Sequence, residues 1–246
     1  MAPQMTFYGA RGAPNPRRVE IFMAEHGLAE TAGYKYVDIS MAKGEHKRGG
    51  KYETPNKKVP MMTVGGETIG ESVAICRYVE ETRPAGSDLR LFGNGALQRA
   101  RVEMWTRRIE LELFHGSIGK AWIHGPFLAP MRKRTGLVGH PSELELGLRL
   151  AQHFYKELDH ELSARAFVAG GAFSVADITL LCVLDFGAGP VRVPMRWSEL
   201  PHLAAWHERV SARASVQLHR DPYAPRKGQR YADRNVAAAE SSSSRL

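Results

Sequence analysis

The sequence predicts two architectures in succession, an α/β domain and then an all-α helical bundle. Three observations carry this. A strand-like run at Met5–Gly9, a helical pattern after Asn15-Pro16 and a second strand-like run at Tyr34–Ile39 make a β-α-β unit. Two short apolar runs flank Gly65-Gly66, a pair suited to positive φ at both centres of a two-residue hairpin turn. Beyond residue 95 the apolar residues recur only at helical spacing.

Asn15 is a favoured N-cap residue and Pro16 suits a first helical position, with Val19, Phe22 and Met23 on one face. Gly27 at C′ and Leu28 at C″ supply what a Schellman ending needs. Because a helix intervenes, the strand at 34–39 is expected to run parallel to the first. Residues 40–58 form a polar loop with Lys43, His46, Lys47, Arg48, Lys51, Lys57 and Lys58 against Glu45 and Glu53. The hairpin ends at Gly70, and Glu71-Ser72 open a helix with Ile75, Tyr78 and Val79 at its spacing. The first domain is placed at 1–82, in the order β-α-β-α-β-β-α, with a Pro- and Gly-bearing linker at 83–94.

The helical domain is placed at 95–220. Leu97, Val102, Trp105, Ile109 and Leu113 mark a long helix. Residues 123–140 read as irregular, with Gly125-Pro126 and Pro130 as breakers, and a second long helix starts near Pro141. Ser174 as N-cap and Asp177 at N3 make a capping-box variant, with Phe173 and Ile178 at the positions of a hydrophobic staple; their role is structural. Leu200, Leu203, Trp206 and Val210 mark the last helix. Residues 221–246, rich in Arg, Ala and Ser, are expected to be disordered.

At 246 residues and 43% hydrophobic, the chain is long enough for two modest cores. Its two cysteines, Cys76 and Cys182, form no Cys-x-x-Cys, and its ten histidines form no His-x-x-x-His, so no disulfide framework and no metal site are expected. The net charge of +8 is dispersed among acids, with Arg132-Lys133-Arg134 the densest run and no interleaved aromatics, which argues against nucleic acid as partner. No apolar run approaches the roughly 20 residues of a membrane span, and Met1–Gln4 lead into the first strand without a secretory core, so no membrane partner and a cytoplasmic location are expected.

The stretch Val59–Ser72 holds the candidate site. A helix opening at Glu71-Ser72 points backbone N–H groups beyond the hairpin and attracts a carboxylate or phosphate. Ser72 adds a hydroxyl donor and Glu71 an acceptor for an ammonium, a pairing that suits an α-amino acid; simple capping accounts for the same two residues.

Val59-Pro60, the hairpin, Glu71-Ser72, Asn15-Pro16-Arg17-Arg18-Val19 and Phe173-Ser174-Val175-Ala176-Asp177, in this order and spacing, resemble the glutathione transferase family. The resemblance implies a thioredoxin-like first domain, an all-α second domain, glutathione as substrate without a metal, and a homodimer. It implies that Pro60 is cis, that the Val59 backbone pairs with the cysteinyl part of glutathione, and that Glu71 and Ser72 hold its γ-glutamyl ammonium and carboxylate. Lys47, in a Glu-His-Lys run, and Lys58, directly before Val-Pro, are the expected counter-charges of its glycine carboxylate.

Relatives with Ser-Pro-Asn or Thr-Pro-Asn use the hydroxyl before the proline on the glutathione sulfur, whereas this chain reads Ala13-Pro14-Asn15. Asn15 is the leading candidate for the thiolate donor, with a capping role alone as the alternative, and Tyr8, Arg11 or backbone N–H groups near Gly12 as further donors. Glu112, Phe114, His115, Ile118 and Trp122, late on the long helix, are expected to meet an apolar electrophile. Conjugation is the expected reaction; glutathione-dependent disulfide or peroxide reduction and a non-catalytic binding module are the rivals.

Overall fold

A computed structural model describes residues 5–28, 34–82 and 88–219. They divide into two compact units, one holding the residues up to Phe92 together with those from Arg213 onward, the other running from Gly93 to Ala212. The expectation of a disordered tail falls outside the described residues, as do residues 83–87 of the expected linker.

The first unit is built on a four-stranded sheet of order β2-β1-β3-β4, from β1 (Met5–Gly9), β2 (Lys35–Asp38), β3 (Met61–Val64) and β4 (Glu67–Gly70). β1 pairs parallel with β2 and antiparallel with β3, where Phe7 stands opposite Met62, both fully buried. Gly65 and Gly66 close the β3–β4 hairpin at φ 58° and 89°, values that a residue with a Cβ rarely adopts in succession. The peptide bond Val59-Pro60 is cis, as the resemblance implied.

α1 (Pro14–Glu25) starts two residues earlier than the sequence suggested: Ala13 is the N-cap and Asn15 already lies inside the first turn. Pro14 takes the place expected for Pro16, since proline's fixed φ suits either position. The end is a full Schellman motif, with Leu28 N–H donating to Met23 C=O (2.9 Å), Gly27 N–H to Ala24 C=O (3.0 Å) and Gly27 at φ 71°. The helix expected between β2 and β3 is absent. Gly44 and Gly49 sit at positive φ, and the segment folds as turns held by its own bonds, including Ser40 N–H to Glu45 Oε2 (2.8 Å) and Gly49 N–H to Glu53 Oε2 (2.9 Å). The order is therefore β-α-β-β-β-α, closing with α2 (Ser72–Glu81).

Eight consecutive residues of α1, Pro16–Met23, are buried, Arg17, Arg18 and Glu20 among them. One such helix cannot bury all its faces on a sheet and one neighbouring helix. The remaining cover comes from the far end of the chain, where a final helical turn (Ala214–Leu218) lies against α1. Arg213 grips Glu25 through Nε and Nη2 (2.8 and 2.6 Å), the Ser215 hydroxyl donates to the same carboxylate, and Arg17 Nε donates to the His219 carbonyl (2.8 Å).

The second unit is helical. α3 (Gly95–Arg108) continues without a break as a π-helical stretch, Ile109–Ile118, and then as α4 (Gly119–His124). α5 (Ala129–Thr135) occupies the region that reads as irregular; Pro130 falls in its first turn, where proline lacks only a hydrogen bond the helix would not make. α6 (Pro141–Ser163), α7 (Val175–Phe186) and α8 (Pro201–Ser211) complete the bundle, and the last helical turn of the first unit is α9. Every residue of α7 is buried. Its capping box is formed: the Ser174 N–H and hydroxyl both donate to Asp177 Oδ2 (3.0 and 2.9 Å), while Asp177 Oδ1 accepts from Val168 N–H and Trp206 Nε1–H at 2.9 Å each. Phe173 stacks edge-on against Phe167, 5.8 Å between centroids. Leu97, which the periodicity assigns to the core of the long helix, is instead 67% exposed.

Candidate functional site

The anion-seeking end of α2 is built from three local features. The first intrahelical bond runs from Ile75 N–H to Glu71 C=O (3.0 Å), so the N–H groups of Ser72, Val73 and Ala74 point out of the helix. Glu71 stands at φ 64° and ψ 121°, a conformation costing of order 1–3 kcal/mol for a residue with a side chain. The surroundings hold it there, since Asn56 Nδ2 donates to its carboxylate at 3.0 Å. Ser72 is buried, and its hydroxyl oxygen accepts from Arg18 Nη1 at 2.8 Å. The Ser72 hydroxyl proton is thereby directed away from Arg18, and a buried guanidinium lies behind the helix end.

Sequence reasoning singled out Glu71 and Ser72 but not Arg18, which entered it only as part of the run Asn15–Val19. Asn56, also missed, turns its other side-chain atom to Lys58, accepting that residue's N–H at 3.2 Å. It thus links Glu71 to the residue preceding Val59-Pro60. The Lys47 and Lys58 side chains are both exposed. Directly before Lys47, His46 is buried with its Nδ1 making no hydrogen bond; burial first and the neighbouring Lys47 charge second hold its pKa below the ordinary histidine range.

In the same unit, α1 starts with Pro14, Asn15 and Pro16, and the first intrahelical bond reaches from Arg17 N–H to Ala13 C=O (3.2 Å). Two prolines leave Asn15 as the single backbone donor in that stretch, and its half-buried side chain caps nothing. Arg11 lies over the Tyr36 ring (4.5 Å) and donates its N–H to Asp38, while Tyr8 is held in β1 with its ring 5.8 Å from Tyr52.

In the second unit, the residues assigned to an electrophile fall on the π-helical stretch and α4. Phe114 and Trp122 are brought together on Phe186, edge to face at 6.1 and 5.5 Å, and the exposed His115 ring stands 5.0 Å from Phe114. Phe186, at the end of α7, was not identified from sequence. Glu112 is turned elsewhere: it receives Arg108 Nε and Nη2 (3.0 and 3.1 Å), and Arg108 also reaches Glu157 (2.7 Å). Ile118 is fully buried. π-helical turns are rare and concentrate at functional sites, so their coincidence with this aromatic group marks it out.

Comparison with known proteins then decides the family. The model of the glutathione S-transferase N-terminal domain matches residues 3–81, and that of the C-terminal domain matches residues 142–214. Glutathione S-transferase 2 of Saccharomyces cerevisiae is 31% identical over 228 residues, spanning 88% of this chain and 90% of that protein. The chain belongs to the glutathione S-transferase family. Among solved structures, Gtt2 from Saccharomyces cerevisiae is similar at 28% identity with a TM-score of 0.73, covering 87% of this transferase and 99% of that chain. A glutathione S-transferase domain-containing protein from Marinobacter aquaeolei VT8 is also 28% identical, with a TM-score of 0.74 over 86% and 99% of the two chains. The fold class read from sequence, a thioredoxin-like domain followed by a helical one, is the one these relatives share.

Proposed function

We propose that this transferase binds glutathione at the open end of α2, favours its thiolate and conjugates it to an apolar electrophile. The observation that carries the proposal is the Ser72 hydroxyl held by buried Arg18 at a helix end whose cap residue, Glu71, is kept in a strained conformation. A carboxylate fits that seat, and Glu71 fits the ammonium on the same carbon. The Val59 backbone, beside cis Pro60, pairs with the cysteinyl part, and Lys47 and Lys58 answer the glycine carboxylate.

A free thiol with a pKa of roughly 8.5 is a poor nucleophile at neutral pH. The Asn15 side chain or its N–H donates a hydrogen bond to sulfur, which favours the charged form. The thiol proton leaves to solvent, sulfur forms a bond to the electrophilic carbon, and the leaving group departs with its bonding pair. Phe114, Trp122 and Phe186 form the apolar surface for that second substrate, and His115 offers a polar contact. Glu112, engaged with Arg108, supports the helix. The thiolate absorbance of bound glutathione, titrated with pH in wild type and Asn15→Ala, tests this. A depressed pKa that rises in the variant supports Asn15 as donor; a depressed pKa left unchanged moves the donor to Arg11 or the backbone; no depression removes thiol activation from the proposal.

A second reading, glutathione-dependent disulfide or peroxide reduction, is favoured by Ala13, which puts a methyl group where Ser-Pro-Asn relatives have a hydroxyl. Turnover of a mixed disulfide without turnover of aryl halides selects it. The same protein is proposed to act as a homodimer. Leu97, Met104 and Leu111, seven residues apart along α3 and its continuation, are 67%, 48% and 53% exposed, a stripe that a second copy would cover. Sedimentation of Leu97→Glu as a monomer, against a wild-type dimer, is the expected result. A reaction that consumes reduced glutathione fits the cytoplasm, where that pool is kept reduced.

A further inference from the structure

We propose that the segment from Arg213 to His219 is a positioning brace for the glutathione site, acting on α1 through Arg213, Ser215 and His219. The inference rests on reading the first unit as a glutathione-activating site.

α1 carries both groups on which that reading depends, Asn15 in its first turn and Arg18 against Ser72. The hydrogen bond from Arg18 to Ser72 is 2.8 Å long, so a slide or roll of α1 by half an ångström lengthens it beyond good geometry. The brace holds α1 at two places. Near the site, Arg17 donates to the His219 carbonyl (2.8 Å), and the His219 ring lies 3.7 Å from Glu20. At the far end, Glu25 is gripped by Arg213 through two bonds and by the Ser215 hydroxyl. Arg17 and Glu25 are eight positions apart, about 12 Å along a helix, and two attachments at that separation fix both rotation and slide.

The grip on Glu25 is also electrostatic. A carboxylate in the last turn of a helix faces the negative end of its dipole, and a bidentate guanidinium reverses that penalty. Burial alone would raise the Glu25 carboxyl, but the hydrogen bonds from Arg213 and Ser215 and the guanidinium charge outweigh it and hold the group below the ordinary carboxylate range. Apolar burial is non-directional, whereas the bonds from Arg213, Ser215 and His219 each specify a distance and an angle, so they fix the helix register more sharply than burial alone.

The test uses the full chain with Arg213→Ala, Arg213→Lys and Ser215→Ala, and reads the pKa of the bound glutathione thiol together with KM and kcat. Loss of stability alone lowers the folded fraction and leaves the bound-thiol pKa of the remaining folded molecules unmoved. Expected is a bound-thiol pKa shifted toward that of free glutathione in Arg213→Ala, with KM for glutathione raised about tenfold, the equivalent of weakening one charge-assisted bond. Arg213→Lys, which keeps one of the two bonds, should fall between. If Arg213→Ala does not fold, Ser215→Ala, which removes a single hydroxyl, is read in the same way with a smaller shift. Folded variants with the wild-type thiol pKa and KM overturn the brace while leaving the glutathione site in place. Wild-type protein that binds no glutathione overturns both.

Discussion

Arg18, 1% exposed, donates from Nη1 to the hydroxyl oxygen of Ser72 at 2.8 Å, joining the middle of α1 to the first residue of α2. A hydrogen bond involving a charged group contributes roughly 1.5–3 kcal/mol, so loss of this one should weaken glutathione binding about 10- to 100-fold. Arg18→Met keeps much of the buried volume and removes the donor. Calorimetric titration with glutathione is the measurement, and an unchanged Kd would show that Ser72 needs no help from Arg18.

Phe186 joins Phe114 and Trp122 in one aromatic group. Phe186→Ala should raise KM for an apolar aryl electrophile several-fold while leaving KM for glutathione within about twofold, since one buried aromatic contributes roughly 0.5–1.5 kcal/mol per ring pair. Equal effects on both constants would argue against a role specific to the second substrate.

Gly147 of α6 faces the π-helical stretch closely: a Cβ there would lie 2.7 Å from the Ser117 carbonyl oxygen and 2.8 Å from Lys120 Cβ. Glycine to alanine inside a helix ordinarily stabilises by roughly 0.5–1 kcal/mol. Here the clash with backbone should reverse the sign and cost about 1–3 kcal/mol, as overpacking does. Urea unfolding of Gly147→Ala decides between them, and a stabilised variant would mean that α6 retreats freely.

Asp177 holds three donors that have no water to turn to, the Val168 and Ser174 N–H groups and Trp206 Nε1–H, as well as the Ser174 hydroxyl. Burial pushes its carboxyl above the usual range, with those donors pulling the other way. Asp177→Ala would strand them at about 1–3 kcal/mol each, so a loss of at least about 3 kcal/mol is expected. A variant less than 1 kcal/mol weaker by chemical denaturation, a bound set by the same unpaired-donor cost, would mean the donors find other acceptors.

The pH dependence of Glu25 follows from its lowered pKa. Its stabilising contribution is present above the ordinary glutamate pKa of roughly 4.3 and is lost as pH falls through the lower, folded-state value. The difference in Tm between wild type and Glu25→Gln should therefore be largest near neutrality and shrink below about pH 4. A difference that grows on acidification would contradict the pairing with Arg213.

What the sequence made legible was local. Gly65-Gly66, the Gly27-Leu28 ending and the Ser174–Asp177 box each depend on residues within a few positions, so short patterns reveal them. The start of α1 was misplaced by two residues because Pro14 and Pro16 both suit a first turn. The helix assigned between β2 and β3 came from the expected order of the fold, whereas Gly44 and Gly49 break the backbone there. Arg18, Phe186 and the bridge from Arg213 to Glu25 escaped because each gains its meaning from a partner 54 to 188 positions away or from a neighbouring helix. The π-helical stretch left no trace in the apolar spacing, which fits an ordinary helix over the same residues.

The contacts from Arg213, Ser215 and His219 to α1 span 188 to 202 positions of the chain. During synthesis at roughly 5–20 residues per second, α1 therefore emerges on the order of 10 to 40 s before the groups that complete it exist. A chain stalled at residue 212 is expected to leave α1 open to protease, where the finished protein protects it. A helix made early in translation is thus closed by residues made nearly 200 positions later.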